Sequence, residues 1–365
     1  MKKNSLVTIM LAAMCLLTAC NDEVSMLTLI NKDGSAHREV CFVADSSSTQ
    51  SYLPDSTEAS MDAILNDDKW SKQWMKVQKD SSRKDSTLMC FASRDFSDVM
   101  EMAKAYPIRA GGKSILKDCN LNKTFRWFYT DYAFSETYND YSAPFNIPIT
   151  EYLDKDAASY FLTGIPDLLE GKSGCEAKDI LDNMNTQYEH WITANIINDM
   201  IEIILDNYDS LPGIPITKED IAATRDSLIN YAIDYGPALD ISSLGLDRMM
   251  DAYYHTDYFK KTMGSDNVVL KSLEAKLASY IVLSNLDVEY RLAMPGAKIT
   301  NKGNGVIKDN EIYYSITKPR LLAPSYTIAA TFRRTNLWAY IVTLLVASMA
   351  IWLSIKLRYK RECNQ

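Results

Sequence analysis

The stretch LWAYIVTLLVASMAIWLSIKL, from Leu337 to Leu357, decides the architecture of this chain, because all but the last eight residues of the rest of the chain precede it. From Leu337 to Ile355 it carries no charged residue over 19 residues. At about 1.5 Å per residue, such a run forms roughly 28 Å of helix, close to the ~30 Å hydrocarbon thickness of a bilayer. A core helix of that length usually shows a polar stripe, and this one shows none. We therefore predict a transmembrane helix over residues 336–357.

The flanks of this helix carry residues that favour a membrane surface. Aromatic residues, which prefer the headgroup level, stand near both of its ends: Trp338, Tyr340, Trp352 and Tyr359. The end of the chain carries four basic residues and one acid: Lys356, Arg358, Lys360, Arg361 and Glu362. This excess predicts a cytoplasmic tail over residues 358–365. Arg333 and Arg334 precede the helix, so the charge bias is not absolute.

The start of the chain resembles a bacterial lipoprotein signal. Two lysines precede an apolar segment over residues 6–17, and the sequence LTAC, ending at Cys20, follows. This order is that of a secretory signal, and the small residues before a cysteine resemble a lipobox. We predict a signal peptide over residues 1–19 and lipidation of Cys20 by diacylglycerol and further acyl chains such as palmitate. The alternative is an ordinary signal peptide with a coincidental cysteine.

The residues after Cys20 bear on the destination of the protein. The sequence NDE over residues 21–23 resembles the surface-export signal of Bacteroidetes lipoproteins. A long apolar helix with a basic tail should instead stop in the inner membrane, with the body in the periplasm. We expect the inner membrane, and surface display on the outer membrane is the alternative. Several acyl chains and a spanning helix together anchor a chain almost irreversibly.

The charge balance limits the partners of the extracytoplasmic part. The whole chain has a formal net charge of −8. Leaving out two signal-peptide lysines and the net charge of +3 carried by the charged residues after Ile355 gives about −13 for the extracytoplasmic part. This balance argues against nucleic acid as a partner, and by composition it offers no polybasic patch for anionic lipid headgroups.

No motif in the sequence indicates a catalytic or metal site. Four cysteines, which could form two disulfides in three ways or remain as buried thiols, lie in the extracytoplasmic part: Cys41, Cys90, Cys119 and Cys175. The three histidines are isolated, which argues against a zinc site or a Ser-His-Asp triad: His37, His190 and His255. Two Gly-Lys-Ser sequences have a proline where a phosphate-binding loop needs its first glycine. We predict no catalytic residue, no metal and no cofactor.

Hydrophobic patterns predict strands at both ends of the ectodomain and helices between them. The first part predicts a hairpin over 24–44 turning at Asp33-Gly34, a helix over 59–79, a strand over 86–92 and a helix over 95–106 with Phe96, Val99, Met100 and Ala103 inward. The middle predicts helices over 176–208, 244–263 and 267–284, and one capped by Thr217 that Gly236-Pro237 ends. The last part predicts strands over 286–294 and 326–332 and hairpin turns at Gly303–Gly305 and Asp309–Asn310.

The clearest predicted strand runs from Phe125 to Tyr138 and carries aromatic residues on both faces. Such a strand is either covered on both sides or open to a ligand on one. The candidate ligand-facing residues are Trp127, Phe128, Tyr132 and Phe134. The alternative is that they form the core.

The predicted fold class is α+β. A discontinuous antiparallel β domain is formed by residues 20–145 and 286–335, and a helical insertion occupies residues 146–285. A single C-terminal transmembrane helix follows.

The last strands resemble a known family. The sequences LAMPGAKI (Leu292–Ile299), GVIKDNEIYYSI (Gly305–Ile316) and SYTIAATFRRTN before a terminal helix are similar to envelope lipoproteins that include the mycobacterial phosphatidylinositol-mannoside-binding lipoproteins. That family has a lipidated N-terminus, a small α+β domain and one C-terminal helix. The resemblance implies binding of a lipid or glycolipid.

These features predict a non-enzymatic envelope lipoprotein, anchored at both ends, that binds a lipid, a glycan or a protein partner at the membrane surface. The alternatives are a membrane-tethered hydrolase of envelope polymers and a structural subunit of an envelope complex. Two carboxylates facing each other in a polar cleft would favour the hydrolase. An apolar patch around Trp191 would favour the subunit, and a closed cavity behind Phe128 and Tyr132 would favour lipid binding.

Overall fold

The computed structural model describes residues 24–43, 61–78, 86–110, 112–235, 243–263, 268–281, 283, 286–324 and 326–362. The predicted signal peptide, Cys20 and the last residues of the tail lie outside these ranges. The strands are β1 Val24–Ile30, β2 Ala36–Val43, β3 Ser71–Gln78, β4 Ser86–Phe96, β5 Arg109–Ala110, β6 Lys113–Ser114, β7 Leu116–Phe125, β8 Tyr129–Tyr138, β9 Asp287–Ala293, β10 Lys298–Asn301, β11 Val306–Lys308, β12 Glu311–Thr317 and β13 Thr327–Thr335.

Most of the helical residues lie between β8 and β9. The helices are α1 Asp62–Leu65, α2 Val99–Lys104, α3 Lys155–Thr163, α4 Gly174–Asp206, α5 Lys218–Ala223, α6 Arg225–Tyr235, α7 Ser243–Tyr254, α8 Tyr258–Met263, α9 Val268–Ile281, α10 Lys318–Leu321 and α11 Leu337–Glu362. Short 3-10 turns occupy Ile149–Glu151 and Tyr208–Ser210.

Two larger sheets each contain strands from the early and the late part of the chain that precedes α11. One has seven strands in the order β11-β12-β9-β1-β2-β4-β3, and the other has four in the order β10-β13-β8-β7. A two-stranded ribbon joins β5 to β6. The predicted antiparallel pairing holds except at β1 and β9, which run parallel with Val24 opposite Val288. This pair joins two strands about 260 residues apart, which the helical segment between them makes possible.

The main core lies between the inner faces of the two larger sheets. The even-numbered side chains of β8 are buried, because a strand alternates its side chains between the two faces of a sheet: Thr130, Tyr132, Phe134, Glu136 and Tyr138. Those of the central strands of the larger sheet, such as Met26, Val40 and Tyr290, belong to the same cluster. A second cluster, formed largely by α4 to α9, includes Trp191 and Met200.

Several predictions based on local signals are confirmed. The first hairpin comprises β1 and β2, and the long helix α4 begins after a capping box in which Ser173 and Glu176 satisfy each other's backbone N–H groups. The hydroxyl of Thr217 accepts from the Asp220 N–H and caps α5. The predicted turn at Gly236-Pro237 falls outside the described ranges.

The predicted helix over 59–79 is wrong. Only Asp62–Leu65 forms a helical turn, and Ser71–Gln78 is instead a strand paired with β4. Trp70 and Val77 are buried, whereas Trp74 is 51% exposed, so the three do not share one buried face as the helical spacing indicated. The backbone pairing with β4 outweighs the helical spacing of these apolar residues, since strand preference depends on neighbours.

The predicted helix over 95–106 begins later than expected. Asp98 caps it by accepting from the Glu101 N–H, and Phe96 belongs to β4. Within this helix Val99 and Met102 are buried, whereas Met100, predicted to face inward, is 51% exposed. The cap, rather than the apolar pattern, fixes where this helix begins.

Two predicted turns in the last part of the chain have different outcomes. Asp309 and Asn310 both have positive φ and join β11 to β12, as a two-residue hairpin requires. Gly303–Gly305 is not a hairpin turn, because β10 belongs to the four-stranded sheet and β11 to the seven-stranded one. This segment therefore connects the two sheets.

Of the two alternatives left open for the cysteines, the structure has the thiols and no disulfide among the described residues. Cys90 and Cys119 are free and buried, and Cys175 is free and exposed. Cys41 lies opposite Phe91 and packs with it, on the other face of the sheet from Cys90.

The C-terminal helix α11 follows strand β13 with a single residue, Asn336, between them. Thr335 ends β13, and Leu337 begins the helix. Over Leu337–Leu357 the helix is long and apolar enough to cross a membrane, and it is almost entirely exposed. It is the single candidate span in the part of the chain that the structure describes.

Candidate membrane-interface site

The predicted strand from Phe125 to Tyr138 is in fact a hairpin tip. A turn at residues 126–128 separates β7 from β8, and the Arg126 N–H donates to the Tyr129 carbonyl at 2.8 Å. The aromatic side chains at the tip are 38 to 57% exposed: Phe125, Trp127 and Phe128. Exposure of three large aromatic rings at one turn is unusual in a chain surrounded only by water.

The tip packs against the first two turns of α11. Trp127 lies edge-on to Trp338 at a ring distance of 5.2 Å, and Phe128 lies 4.7 Å from Tyr340. The Phe125 ring is parallel to that of Trp338 at 6.3 Å. We call these five residues, Phe125, Trp127, Phe128, Trp338 and Tyr340, the aromatic collar.

A hydrogen bond shows how far the tip extends along the helix. The Trp127 indole Nε1 donates to the Thr343 hydroxyl at 2.9 Å. Thr343 lies six residues beyond Leu337, which is about 9 Å along a helix axis. Ala339, on the face of α11 between them, is fully buried. The tip therefore runs beside the helix rather than merely touching its start.

Asn336 fixes the tip to the start of the helix. Its backbone N–H donates to the Phe128 carbonyl and its side-chain amide to the Arg126 carbonyl, both at 2.9 Å. Its side-chain oxygen accepts from the Thr130 hydroxyl at 3.2 Å. One residue thus satisfies polar groups on both sides of the turn and holds α11 in a defined direction.

Replacing Asn336 by alanine is expected to loosen the collar. The change removes the side-chain hydrogen bonds to Arg126 and Thr130, and it should lower the free energy of unfolding by about 1–2 kcal/mol. Hydrogen exchange of the turn amides in the full-length chain in mild detergent should become faster, while exchange in α4 stays the same. Asn301→Ala, which also changes an asparagine in the four-stranded sheet, is the matched control. Unchanged exchange at the tip would contradict the assignment.

The structure separates the four predicted ligand-facing residues. Trp127 and Phe128 belong to the collar, whereas Tyr132 and Phe134 lie in the main core, at 3% and 1% exposure. The Tyr132 hydroxyl donates to the Lys32 carbonyl at 2.9 Å. Cys20, the predicted lipidation site, lies outside the described ranges.

Sequence reasoning missed Asn336 and Thr343 as parts of this site. Their contacts with the tip join residues about 210 positions apart, so no local pattern indicates them. The sequence did contain one relevant signal, the aromatic pair Trp338 and Tyr340 at the start of the predicted transmembrane helix. These two residues contact the hairpin tip.

Basic side chains gather at the same end of the four-stranded sheet. Arg126 lies in the turn, Lys123 and Arg334 lie opposite Tyr132 and Thr130 of β8, and Lys298 lies opposite Arg333. We call these five residues, Lys123, Arg126, Lys298, Arg333 and Arg334, the basic cluster. The composition of the chain before α11 did not reveal it, because its members come from three separate segments.

Arg333 is the member of this cluster that has a strong ion pair. Its guanidinium donates to the two Asp131 oxygens at 2.7 and 3.0 Å and lies 3.9 Å from the Tyr129 ring centre. The Arg333 hydrogen bonds lower the pKa of Asp131. Among the described residues, Arg126, Lys298 and Arg334 form no ion pair. The cluster therefore keeps a positive balance.

A buried ionic network joins the two sheets away from the collar. Arg38 of β2 and Glu136 of β8 form an ion pair, and both side chains are fully buried. Arg38 Nε also donates to the Thr28 hydroxyl at 3.0 Å, and Glu136 accepts from the Tyr138 hydroxyl at 3.0 Å. Glu136 is thus enclosed, paired with the Arg38 guanidinium and out of contact with solvent.

Hydrogen bonds connect the segment after β8 to the long helix α4. The Asn195 side-chain oxygen accepts from the N–H groups of Asn146 and Ile147, both at 2.8 Å. Trp191 donates to the Ile147 carbonyl at 2.7 Å, and Asn146 donates to Asp199 at 2.9 Å. These bonds satisfy buried groups at the point where the chain enters the helical segment.

His37 lies between two carboxylates on the outer face of the larger sheet. Its Nδ1 is 2.6 Å from Asp95 and its Nε2 is 3.2 Å from Glu39. The hydrogen bond to Glu39, opposed by burial and aided by Asp95, raises the pKa of His37 above 6.5. In the described ranges no group of three or more His, Cys, Asp or Glu side chains could hold a metal ion.

The raised pKa predicts a pH dependence of stability. Protonated His37 is favoured in the folded state, so its contribution is complete below the unfolded pKa near 6.5 and is lost as pH rises through the higher folded pKa. The melting temperature should therefore fall more between pH 6 and pH 8 in the parent than in His37→Gln. The measurement is thermal unfolding of both proteins across that range. Parallel curves would contradict the prediction.

Comparisons with known proteins add no relative: no protein-family model, no curated protein and no solved structure matches the chain.

Proposed function

We propose that the chain is a membrane-anchored, non-enzymatic envelope protein whose ectodomain is held rigidly against a bilayer, where it binds lipid or a partner at the surface. The observation that carries the proposal is the junction of β13 with α11. A single residue, Asn336, separates sheet and helix, and the hairpin tip packs beside the first turns of that helix. A flexible tether would need neither feature.

The proposed domain organisation consists of one β domain and one helical insertion. In it, residues 20–145 and 286–335 form one discontinuous β domain, and residues 146–285 are a helical insertion in that domain. The support is that both larger sheets combine strands from the two ends of the ectodomain, whereas the helices between β8 and β9 build the second cluster.

The proposed topology has two anchors. Lipidated Cys20 and α11 hold the chain in the inner membrane, with the body in the periplasm and the tail in the cytoplasm. The support for α11 is its length, its apolar surface and its exposure. The support for Cys20 is the lipobox-like sequence before it.

Two observations favour a surface-binding role over the alternatives. Trp191 is 4% exposed and its ring stacks on Phe145 at 4.3 Å, so it offers no apolar patch to a partner subunit. Glu136 is enclosed with Arg38, away from solvent. The aromatic collar remains the large exposed aromatic group next to the helix, and aromatic rings of this kind favour the bilayer interface.

Labelling of two cysteines tests the topology. In intact cells with a permeabilised outer membrane, a membrane-impermeant maleimide should label Cys175, which is exposed. Cys363 should react only after the inner membrane is opened. Cys175→Ser and Cys363→Ser assign the two signals. Labelling of Cys363 in closed cells, or protection of Cys175, would overturn the proposed orientation.

A further inference from the structure

We propose that the basic cluster and the aromatic collar together bind the headgroups of anionic phospholipids. The inference rests on the proposed function, because it requires α11 to span a bilayer. Within that function, anionic phospholipids are the class of ligand that the ectodomain binds at the membrane surface.

The first step is the depth of the hairpin tip. Trp127 reaches Thr343, about 9 Å along the helix from its first residue. If α11 enters the bilayer near Leu337, the tip lies among headgroups and the first acyl carbons, because interfacial elements bury themselves ~5–10 Å. Phe125, Trp127 and Phe128 are suited to that level, since amphipathic rings prefer it.

The second step is the charge at that depth. Arg126 lies between Phe125 and Trp127 and is exposed, so its guanidinium can reach the phosphate level while its neighbours insert. Lys298 is exposed and Arg334 half-buried on adjoining strands. A guanidinium can donate two parallel hydrogen bonds to a phosphate, and a lysine adds a compact positive charge.

The third step is the contrast with the rest of the ectodomain. With a net charge of about −13, that part is repelled from an anionic surface. Basic residues on this side of a span also oppose the orientation that the basic tail favours. Bound anionic headgroups would offset both the repulsion of the acidic ectodomain and the unfavourable position of these basic residues, at the place where the ectodomain meets the bilayer.

The experiment compares two quenching lipids in nanodiscs that contain the full-length chain. The bilayer is phosphatidylcholine with the same mole fraction of either brominated phosphatidylglycerol or brominated phosphatidylcholine, and the readout is tryptophan fluorescence. All proteins carry Trp352→Phe, which removes the tryptophan beside the basic tail. Trp127 and Trp338 then report on the lipids at the collar.

The expected result is an enrichment of phosphatidylglycerol at the collar of about fivefold, which corresponds to ~1 kcal/mol, the contribution of one basic residue near an anionic surface. The variant Arg126→Gln/Lys298→Gln/Arg334→Gln should lose the enrichment. The matched control Lys117→Gln/Lys155→Gln/Lys178→Gln has the same net charge and should keep it. High salt should reduce the enrichment in the parent.

The possible failures are distinguishable. A chain that does not co-elute with the nanodiscs would refute the proposed membrane span. A chain that is incorporated but is quenched equally by both lipids would overturn the headgroup site alone. Equal enrichment in the triple variant and the parent would do the same, and a salt-insensitive preference would also exclude charge as its cause.

Discussion

Replacing Arg38 by methionine is expected to destabilise the protein by about 3–5 kcal/mol, one of the largest effects that a single substitution should have here. The substitution leaves Glu136 fully buried without its cation. Burial of an unpaired carboxylate is costly because neither water nor an opposite charge offsets the loss of its hydration. The Tyr138 hydroxyl would remain as a donor to Glu136, but a neutral donor cannot replace the guanidinium.

A double variant separates the cost of the unpaired charge from the loss of packing. Arg38→Met with Glu136→Leu removes both charges, and it should recover most of the stability lost by the single variant. Arg94→Met is the matched control, because the carboxylates of Asp67 and Glu101 that pair with Arg94 are 36% and 41% exposed. Loss of these partly exposed ion pairs should lower the free energy of unfolding by less than about 1 kcal/mol.

Thermal and denaturant unfolding of the full-length chain in mild detergent measures these differences. The near-ultraviolet signal includes the packing around the pair, because Tyr106, Tyr138 and Tyr290 surround it. If Arg38→Met unfolds within about 1 kcal/mol of the parent, the pair is not the buried network described above. The same follows if the double variant is less stable than the single one.

This network also shows which part of the fold was beyond prediction from the sequence. Arg38 stands in the strand-like stretch AHREVCFV, where a charged residue is expected to face solvent. Its partner Glu136 is 98 residues away, and neither local pattern indicates that the two meet between sheets. A buried ion pair is a property of two distant segments, so no local pattern of apolar and polar residues predicts it.

Elements with strong local signals were predictable. The charge-free run of α11, the Thr217 cap of α5 and the Asp309–Asn310 turn each depend on residues within a few positions of one another. The helix predicted over 59–79 failed because its apolar residues fit a helix but pair with β4 instead. Pairing between strands was decided by the neighbours, which the local sequence does not show.

The candidate site was predictable in composition but not in shape. The aromatic pattern predicted Trp127 and Phe128 as candidate site residues, and both side chains lie beside α11. The turn between β7 and β8 has the sequence RWF, which lacks the glycine, proline, asparagine and aspartate that usually mark turns. Asn336, about 210 residues later, supplies hydrogen bonds that hold this turn. A single long strand was therefore predicted where the chain reverses.

Removing both proposed anchors together is expected to release the protein from the membrane, whereas removing either one alone is not. Val346 and Met349 lie near the middle of the apolar run and are exposed on α11. Arginine at both positions should disfavour insertion by about 6 kcal/mol, since each central arginine costs ~2.5–3.5 kcal/mol. The acyl chains on Cys20 should then still retain the protein, because two or more chains anchor stably.

The second anchor must be removed without leaving an uncut signal peptide as a substitute. Residues 1–19 are therefore exchanged for a signal peptide that general signal peptidase cleaves, together with Cys20→Ser. With α11 intact, this variant should stay in the membrane fraction after an alkaline carbonate wash. Combined with Val346→Arg/Met349→Arg, it should appear in the soluble periplasmic fraction.

The control for the helix is Val346→Leu/Met349→Leu, which keeps the run apolar and should behave as the parent does. Release by the two arginines alone would show that Cys20 carries no effective anchor, and the lipoprotein assignment would then be wrong. Retention of the combined variant would mean that the collar or another surface holds the ectodomain to the bilayer by itself. The headgroup enrichment measured in nanodiscs would distinguish these two surfaces, because binding by the collar depends on Arg126, Lys298 and Arg334.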